Sequence, residues 1–274
     1  MSRTLPAARA ALIAAAMGAA VTHAVYRRIS ARSPGDSRRW ERINYRGRTV
    51  TLAAGPALTA GAAVGAALAP GVIPRIRLAG AALAATVGSV GLYDDLTGSG
   101  ASKGMRGHLS ALRRGEVTSG VVKVAVIGAA GLAAAGAVSD DWPDTLIGGA
   151  AVAGHANLLN LLDLRPGRAV KVAVAHAPLM LSAPAGAVAA AGLGAGSALL
   201  ADDLGERTML GDAGANALGA ILGLAMVARA SRAARLVHLG VVTALTLASE
   251  KVSFTQVIGR TPVLRELDQL GRRP

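Results

Sequence analysis

Apolar residues run in long stretches along this chain, and polar residues gather in a few short segments between them. A spanning helix needs about 20 mostly apolar residues. Nine segments suit that length: 5–26, 50–72, 76–93, 120–138, 144–162, 169–184, 185–201, 213–229 and 235–250. Pro184 alone separates the sixth from the seventh. The pattern predicts an all-α, polytopic transmembrane bundle of about nine helices, a single integral membrane domain over residues 1–274. The longest polar stretches are 27–49, 94–119 and the tail 251–274, and no soluble domain is evident. Within the tail, residues 262–271 are expected to form a short amphipathic helix lying on the membrane. Arg3 and Arg9 precede an Ala-rich core, with a secretory-type cleavage site near Ala24. Eight further apolar segments favour a retained first helix.

Composition agrees with this class. Hydrophobic residues make up 52% of the chain and charged ones only 16%, against about a quarter charged in ordinary soluble domains. The 35 glycines and abundant alanines allow close helix approach in a membrane. With no cysteine, disulfides and thiolate metal sites are excluded. The net charge of +13 is better matched to anionic lipid than to nucleic acid in so apolar a chain.

Basic residues set the orientation. With the N-terminus outside and the C-terminus cytoplasmic, 22 of the 29 Lys and Arg fall in inside segments. Among the acids, only Asp140, Asp141 and Asp144 fall outside, and Trp142 sits at that outer boundary. Carboxylates therefore crowd the same face as the arginines.

Three polar motifs end or open helices on that inner face. Asp94 and Asp95 close the third segment in GLYDDLTG. Adjacent carboxylates repel each other and oppose the macrodipole at a helix C-terminus, so they are expected to hold a cation or share a proton. The plainer reading is a solvated helix end. The fifth segment ends in Asn157, Asn160 and Asp163, three residues apart. That spacing keeps them within a 120° arc, a stripe that should face protein or a water-filled cleft. Interhelical hydrogen bonding by the two asparagines is the alternative. Leu164-Arg165-Pro166-Gly167-Arg168 follows, a basic turn suited to a phosphorylated ligand. The eighth segment opens with Gly211-Asp212-Ala213-Gly214. A helix N-terminus with free backbone amides and a carboxylate can take a phosphate or a metal bridging to one. Asp212 as an ordinary N-cap is the alternative.

In the order DD, NxxNxxD, GDxG, these motifs make the chain resemble the polyprenyl-phosphate N-acetylhexosamine-1-phosphate transferase superfamily, from about residue 40 onward. Residues 44–48 (NYRGR) look like the family's first cytoplasmic loop, and 103–108 (KGMRGH) and 118–123 (TSGVVK) like its second. The resemblance implies a multi-pass enzyme of a bacterial plasma membrane with a cytoplasmic active site, acting in cell-envelope polysaccharide or peptidoglycan precursor synthesis. It implies a nucleotide-sugar donor, a polyprenyl phosphate acceptor and Mg²⁺; a homodimer is compatible with it. It carries catalytic roles to Asp94, Asp95, Asp163 and Asp212, with Asp95 and Asp212 toward metal. It carries substrate contacts to Asn157, Asn160, Arg165, Arg168, Lys123, Lys171 and His108.

Three departures stand out. The family's third loop usually reads D-G-x-D-G, where this chain has Leu164 and Pro166 in place of the Gly and the second Asp. The histidine motif of the last cytoplasmic loop is replaced by 249–254 (SEKVSF), and the last spanning helix is missing. These departures point to a donor other than the pentapeptide-bearing sugar. His23, His155, His176 and His238 are scattered in or beside helices and read as structural. Two other classes compete: a transporter or flippase for lipid-linked or anionic solutes, and an inactive scaffold of envelope assembly.

Overall fold

The computed structural model describes residues 6–31, 39–98, 104–181 and 184–273, except for the side chains of 104–106, 108 and 109. The described chain is mostly helical: α1 (Ala7–Ser30), α2 (Ala54–Ala67), α3 (Pro74–Thr97), α4 (Gly104–Arg113), α5 (Ser119–Gly136), α6 (Trp142–Leu162), α7 (Arg168–Met180), α8 (Gly186–Ser197), α9 (Leu200–Leu204), α10 (Gly211–Arg229), α11 (Arg232–Ser249), α12 (Phe254–Arg260) and α13 (Pro262–Gln269). Two short strands, β1 (Glu41–Ile43) and β2 (Thr49–Thr51), pair antiparallel with Arg42 opposite Val50.

A helix stands at each of the nine apolar segments, but their lengths differ from expectation. Among the described residues, six helices are long and apolar enough to cross a membrane: α1, α3, α5, α6, α8 continued through α9, and α10. A seventh is counted if α11 and α12, bent by 94° at their junction, form one broken span. Two expected spans fall short. The α2 helix has 14 residues because β2 takes the start of its apolar run, and α7 has 13, with Pro178 inside its last turn. At 1.5 Å per residue each is roughly 20 Å long, against a hydrocarbon core of about 30 Å.

α10 is the central helix, and nearly all of its residues are buried. It packs on α6, α3, α2 and α8, while α1 covers α2 and α8, and α5 lies against α3 and α6. Small residues make this approach possible. A Cβ on Gly91 of α3 would lie 2.5 Å from the Asp212 carbonyl oxygen. Any side chain there would push the end of α3 away from the start of α10.

The β1–β2 hairpin starts in the polar stretch 27–49 and ends two residues into the apolar run that follows. The Asn44 side chain accepts from the amides of Arg46 and Arg48, and Gly47 takes a left-handed φ of 76° to close the turn. Thr51 then bridges to Thr208 just before α10, so the hairpin is tied to the α9–α10 connection.

Candidate functional site

The end of α3, the end of α6, the second turn of α5 and the start of α10 meet at one place. Asp95 turns its carboxylate onto α10, accepting from the amides of Asp212 and Ala213 at 3.0 Å each. Asp163, just past α6, accepts from the amide of Gly211 at 3.0 Å. A helix leaves its first amides without internal partners and carries positive potential there. Two carboxylates from other helices satisfy both demands.

This corrects one expectation. The amides of Gly211, Asp212 and Ala213 are not free for a phosphate, because Asp163 and Asp95 already hold them. Gly211 itself has φ 61°, and a Cβ there would lie 2.8 Å from an Asp95 oxygen. The Gly of Gly-Asp-x-Gly is thus needed for conformation and space.

With its backbone so held, Asp212 points its own carboxylate at Lys123. The Lys123 ammonium lies 2.6 Å from Asp94 Oδ2 and also bonds Asp212 Oδ2. The three side chains are 17%, 16% and 23% exposed, so the group is sheltered and still reachable. Thr118 caps α5 by accepting from the Val121 amide, which fixes the turn carrying Lys123.

The adjacent aspartates therefore divide their work: both Asp95 oxygens cap α10, so the metal-side role expected of Asp95 passes to Asp94, which joins Asp212 on a cationic point. That point bears on Mg²⁺. Two carboxylate oxygens converge where an ammonium sits, and Mg²⁺ is commonly held by one or two carboxylates together with substrate phosphates. The donors fit such a mixed site. Among the described residues no group of three or more His, Cys, Asp or Glu is arranged to hold a metal by itself.

Burial pushes the Asp163 carboxyl well above the ordinary carboxylate range, and the nearby charge of Asp203 adds to this; the Gly211 amide opposes it. Asp203 is buried and accepts from the Gly167 amide at 2.9 Å, so it secures the α6–α7 turn. Beside Asp163 opens a cleft of about 210 Å³, bounded by Tyr45, Arg165, Asp203 and Glu206. The Arg165 guanidinium lies 4.0 Å above the Tyr45 ring, a cation–π contact.

Other residues named from sequence have different employment. Arg168 is only 3% exposed and forms a forked pair with Asp268 of α13, at 2.8 and 2.9 Å. Lys171 donates to the carbonyls of Leu267 and Asp268. Both hold the C-terminal segment. Asn157 bonds the Thr246 hydroxyl at 3.1 Å and so links α6 to α11, the plainer of its two readings. Asn160 is partly buried one turn nearer the site, and its carbonyl accepts from the Asp163 amide. His108 falls in α4, and its side chain lies outside the described residues.

Several site residues were not singled out from the sequence. Arg42 of the hairpin donates to the Asp95 carbonyl. Buried Asn216 donates to the Asp212 carbonyl at 2.7 Å; its place four residues after Asp212 was the available signal. Glu206, with a left-handed φ of 53°, accepts from Asn44 at 2.7 Å and pairs with Arg46 at 3.3 Å. Three of the scattered histidines also meet. His155 Nδ1 is 3.0 Å from His238 Nε2, and His176 lies edge-on to His155, beside an apolar cavity of about 480 Å³. Compared with models of known protein families and with curated proteins, the chain matches none.

Proposed function

We propose that this protein is a membrane sugar-1-phosphate transferase, moving a sugar-1-phosphate from a nucleotide-diphosphate sugar to polyprenyl phosphate. The observation that carries the reading is the convergence of Asp94, Asp95, Asp163 and Asp212 on Lys123 and the start of α10. In the reaction, an oxygen of the lipid phosphate attacks the β-phosphorus of the donor. The bond from that phosphorus to the bridging oxygen breaks, and the nucleoside monophosphate leaves. Without Mg²⁺, Asp94 and Asp212 hold the Lys123 ammonium where it can meet a phosphate oxygen. Mg²⁺, when bound, supplies positive charge against the diphosphate, and Asp94 and Asp212 are the residues that would hold it. The cleft beside Asp163, with Tyr45 and Arg165 in its wall, gives the rest of the donor a place to lie. The active face is proposed to be cytoplasmic, in a bacterial plasma membrane.

The test is release of UMP by the purified protein with undecaprenyl phosphate and Mg²⁺. UDP-GlcNAc, other UDP-hexoses and UDP-MurNAc-pentapeptide are compared as donors. Because the second aspartate and the histidine motif of the resembling family are missing, turnover is expected with a simpler UDP-sugar. Fastest turnover with the pentapeptide donor would refute that substrate claim alone. No turnover with any donor, from a folded preparation, would favour the scaffold.

A second reading has its own observation. His155 lies eight residues before Asp163, about 12 Å along the helix. There three imidazoles meet beside an apolar cavity, next to a broken helix pair. Ionisable residues at such depth suit a transport pathway. Solute flux that persists in an Asp212→Asn variant but stops in a His155→Leu variant would favour it.

A further inference from the structure

The C-terminal segment does not hang free. It folds back over the α6–α7 turn, where Arg272 donates to the Pro166 carbonyl at 2.9 Å and to Asp268 at 2.6 Å. Between α7 and this segment lies an apolar slot of about 480 Å³, walled by Val172, Val174 and Ala175 on one side and Ile258, Leu264 and Leu267 on the other. Arg168 and Lys171 also line it. We propose that this slot binds an anionic phospholipid of the leaflet on the arginine-rich side, an acyl chain in the slot and the phosphate beside Lys171.

Charge argues for an anion. The charged groups that line the slot are Arg168, Lys171 and Asp268, and Arg272 adds its charge to Lys171 from outside the lining. Asp268 is shared by Arg168 and Arg272, and Asp203 is bound to the Gly167 amide. Lys171 rests on two carbonyls, which carry dipoles and no net charge. In the slot's lining two cations, Arg168 and Lys171, stand against the one carboxylate of Asp268, a surplus of positive charge beside apolar walls. Basic pockets on the inner side of membrane helices are suited to anionic headgroups.

Shape argues for a lipid. The short α7 leaves apolar surface that a bilayer must cover. Val263 of the amphipathic tail, 66% exposed and outside the slot's lining, offers that bilayer further apolar surface. The inference does not depend on the transferase reading, and its readout is not activity.

The full-length protein, delipidated in detergent, is titrated with phosphatidylglycerol, phosphatidylcholine or polyprenyl phosphate. Bound lipid is counted by native mass spectrometry, and tail docking is followed by trypsin cleavage after Arg260 and Arg265. Phosphatidylglycerol is expected to bind at least about tenfold more tightly than phosphatidylcholine and to slow tail cleavage. Lys171→Gln should remove most of that preference, and Ala175→Trp, which fills the slot from an exposed position, should block binding. Equal binding of the two phospholipids would overturn the proposal. So would a preference untouched by both variants, or displacement of phosphatidylglycerol by equimolar polyprenyl phosphate, which would make the slot the acceptor's.

Discussion

Asp163 Oδ2 accepts the backbone amide of Gly211 at 3.0 Å, so the end of α6 and the start of α10 form one unit. The contact requires Gly211 in a left-handed conformation, with Asp95 packed against its Cα. A Gly211→Ala variant places a methyl into Asp95 and forces an L-residue into a region costing roughly 1–2 kcal/mol. We expect a lowered unfolding temperature and turnover reduced by at least about tenfold. Gly240→Ala is the control: it lies in α11 with nothing near its Cβ position, and should be neutral or slightly stabilising. Equal behaviour of the two variants in thermal unfolding and turnover would refute the packing argument.

Lys123 neutralises two carboxylates at once, so its loss should be worse than the loss of either partner. Lys123→Met leaves Asp94 and Asp212 facing each other without a cation. Breaking a sheltered pair this way costs up to about 3 kcal/mol, less here for the partial exposure. Adding Asp94→Asn should restore part of that stability without restoring turnover. A double-mutant cycle on chemical unfolding measures the coupling, and additive effects would mean that the three groups do not act as one.

The four aspartates were legible in the sequence because each motif sits at the end of an apolar run; that α3, α6 and α10 bring those ends together is set by packing. The helices at the nine apolar runs were legible from hydropathy alone; α4 and α12, inside polar stretches, were not. Span lengths were not: hydropathy does not say that 49–51 joins a strand, or that the 169–184 run breaks near Pro178. Arg168 was read as a phosphate contact because a basic turn looks the same whether its partner is a ligand or a carboxylate about a hundred residues away. His155, His176 and His238 share no spacing; only the packing of α6, α7 and α11 brings them together. Nor does a linear motif say that Asp95 will take up the amides that the glycine-aspartate motif seemed to offer.

The histidine pair should show the asymmetry of buried polar contacts. His155 Nδ1 and His238 Nε2 share one hydrogen bond, and His155 Nε2 has no partner among the described residues. His238→Leu leaves His155 with a second unmet nitrogen in apolar surroundings, at a cost of about 1–3 kcal/mol. Adding His155→Leu should recover much of it, because removing both partners is nearly neutral when shape is kept. Unfolding of the three variants in one detergent decides this. A double variant less stable than His238→Leu would give the pair a role beyond packing.

Orientation can be checked with single cysteines, since the chain has none of its own. Asp140→Cys lies on an exposed turn before α6, and Gly259→Cys lies in α12 with open space around it. In intact cells an impermeant maleimide should label the first and not the second, which should react only after permeabilisation. The reverse pattern would invert the topology and put the aspartate cluster on the outer face.

Docking of the tail should depend on pH through Asp268. Burial pushes this carboxyl up, but hydrogen bonds and charge from Arg168 and Arg272 outweigh it and hold the carboxyl below its ordinary range. A carboxyl lowered in the folded state contributes stability that is fully present above its unfolded value, about 3.9. That contribution fades as pH falls below this value and through the folded one. The tail should therefore stay docked from neutral pH down to about pH 4 and loosen only in stronger acid. Hydrogen exchange at the amides of α13, measured across that range and corrected for intrinsic rates, reads the docking directly. Asp268→Asn should exchange faster at neutral pH, and its protection should lose the acid dependence. Protection that instead falls between pH 8 and pH 5 would assign the docking to some other group. An unchanged Asp268→Asn would show that the carbonyl contacts of Lys171 and Arg272 hold the tail without the ion pair.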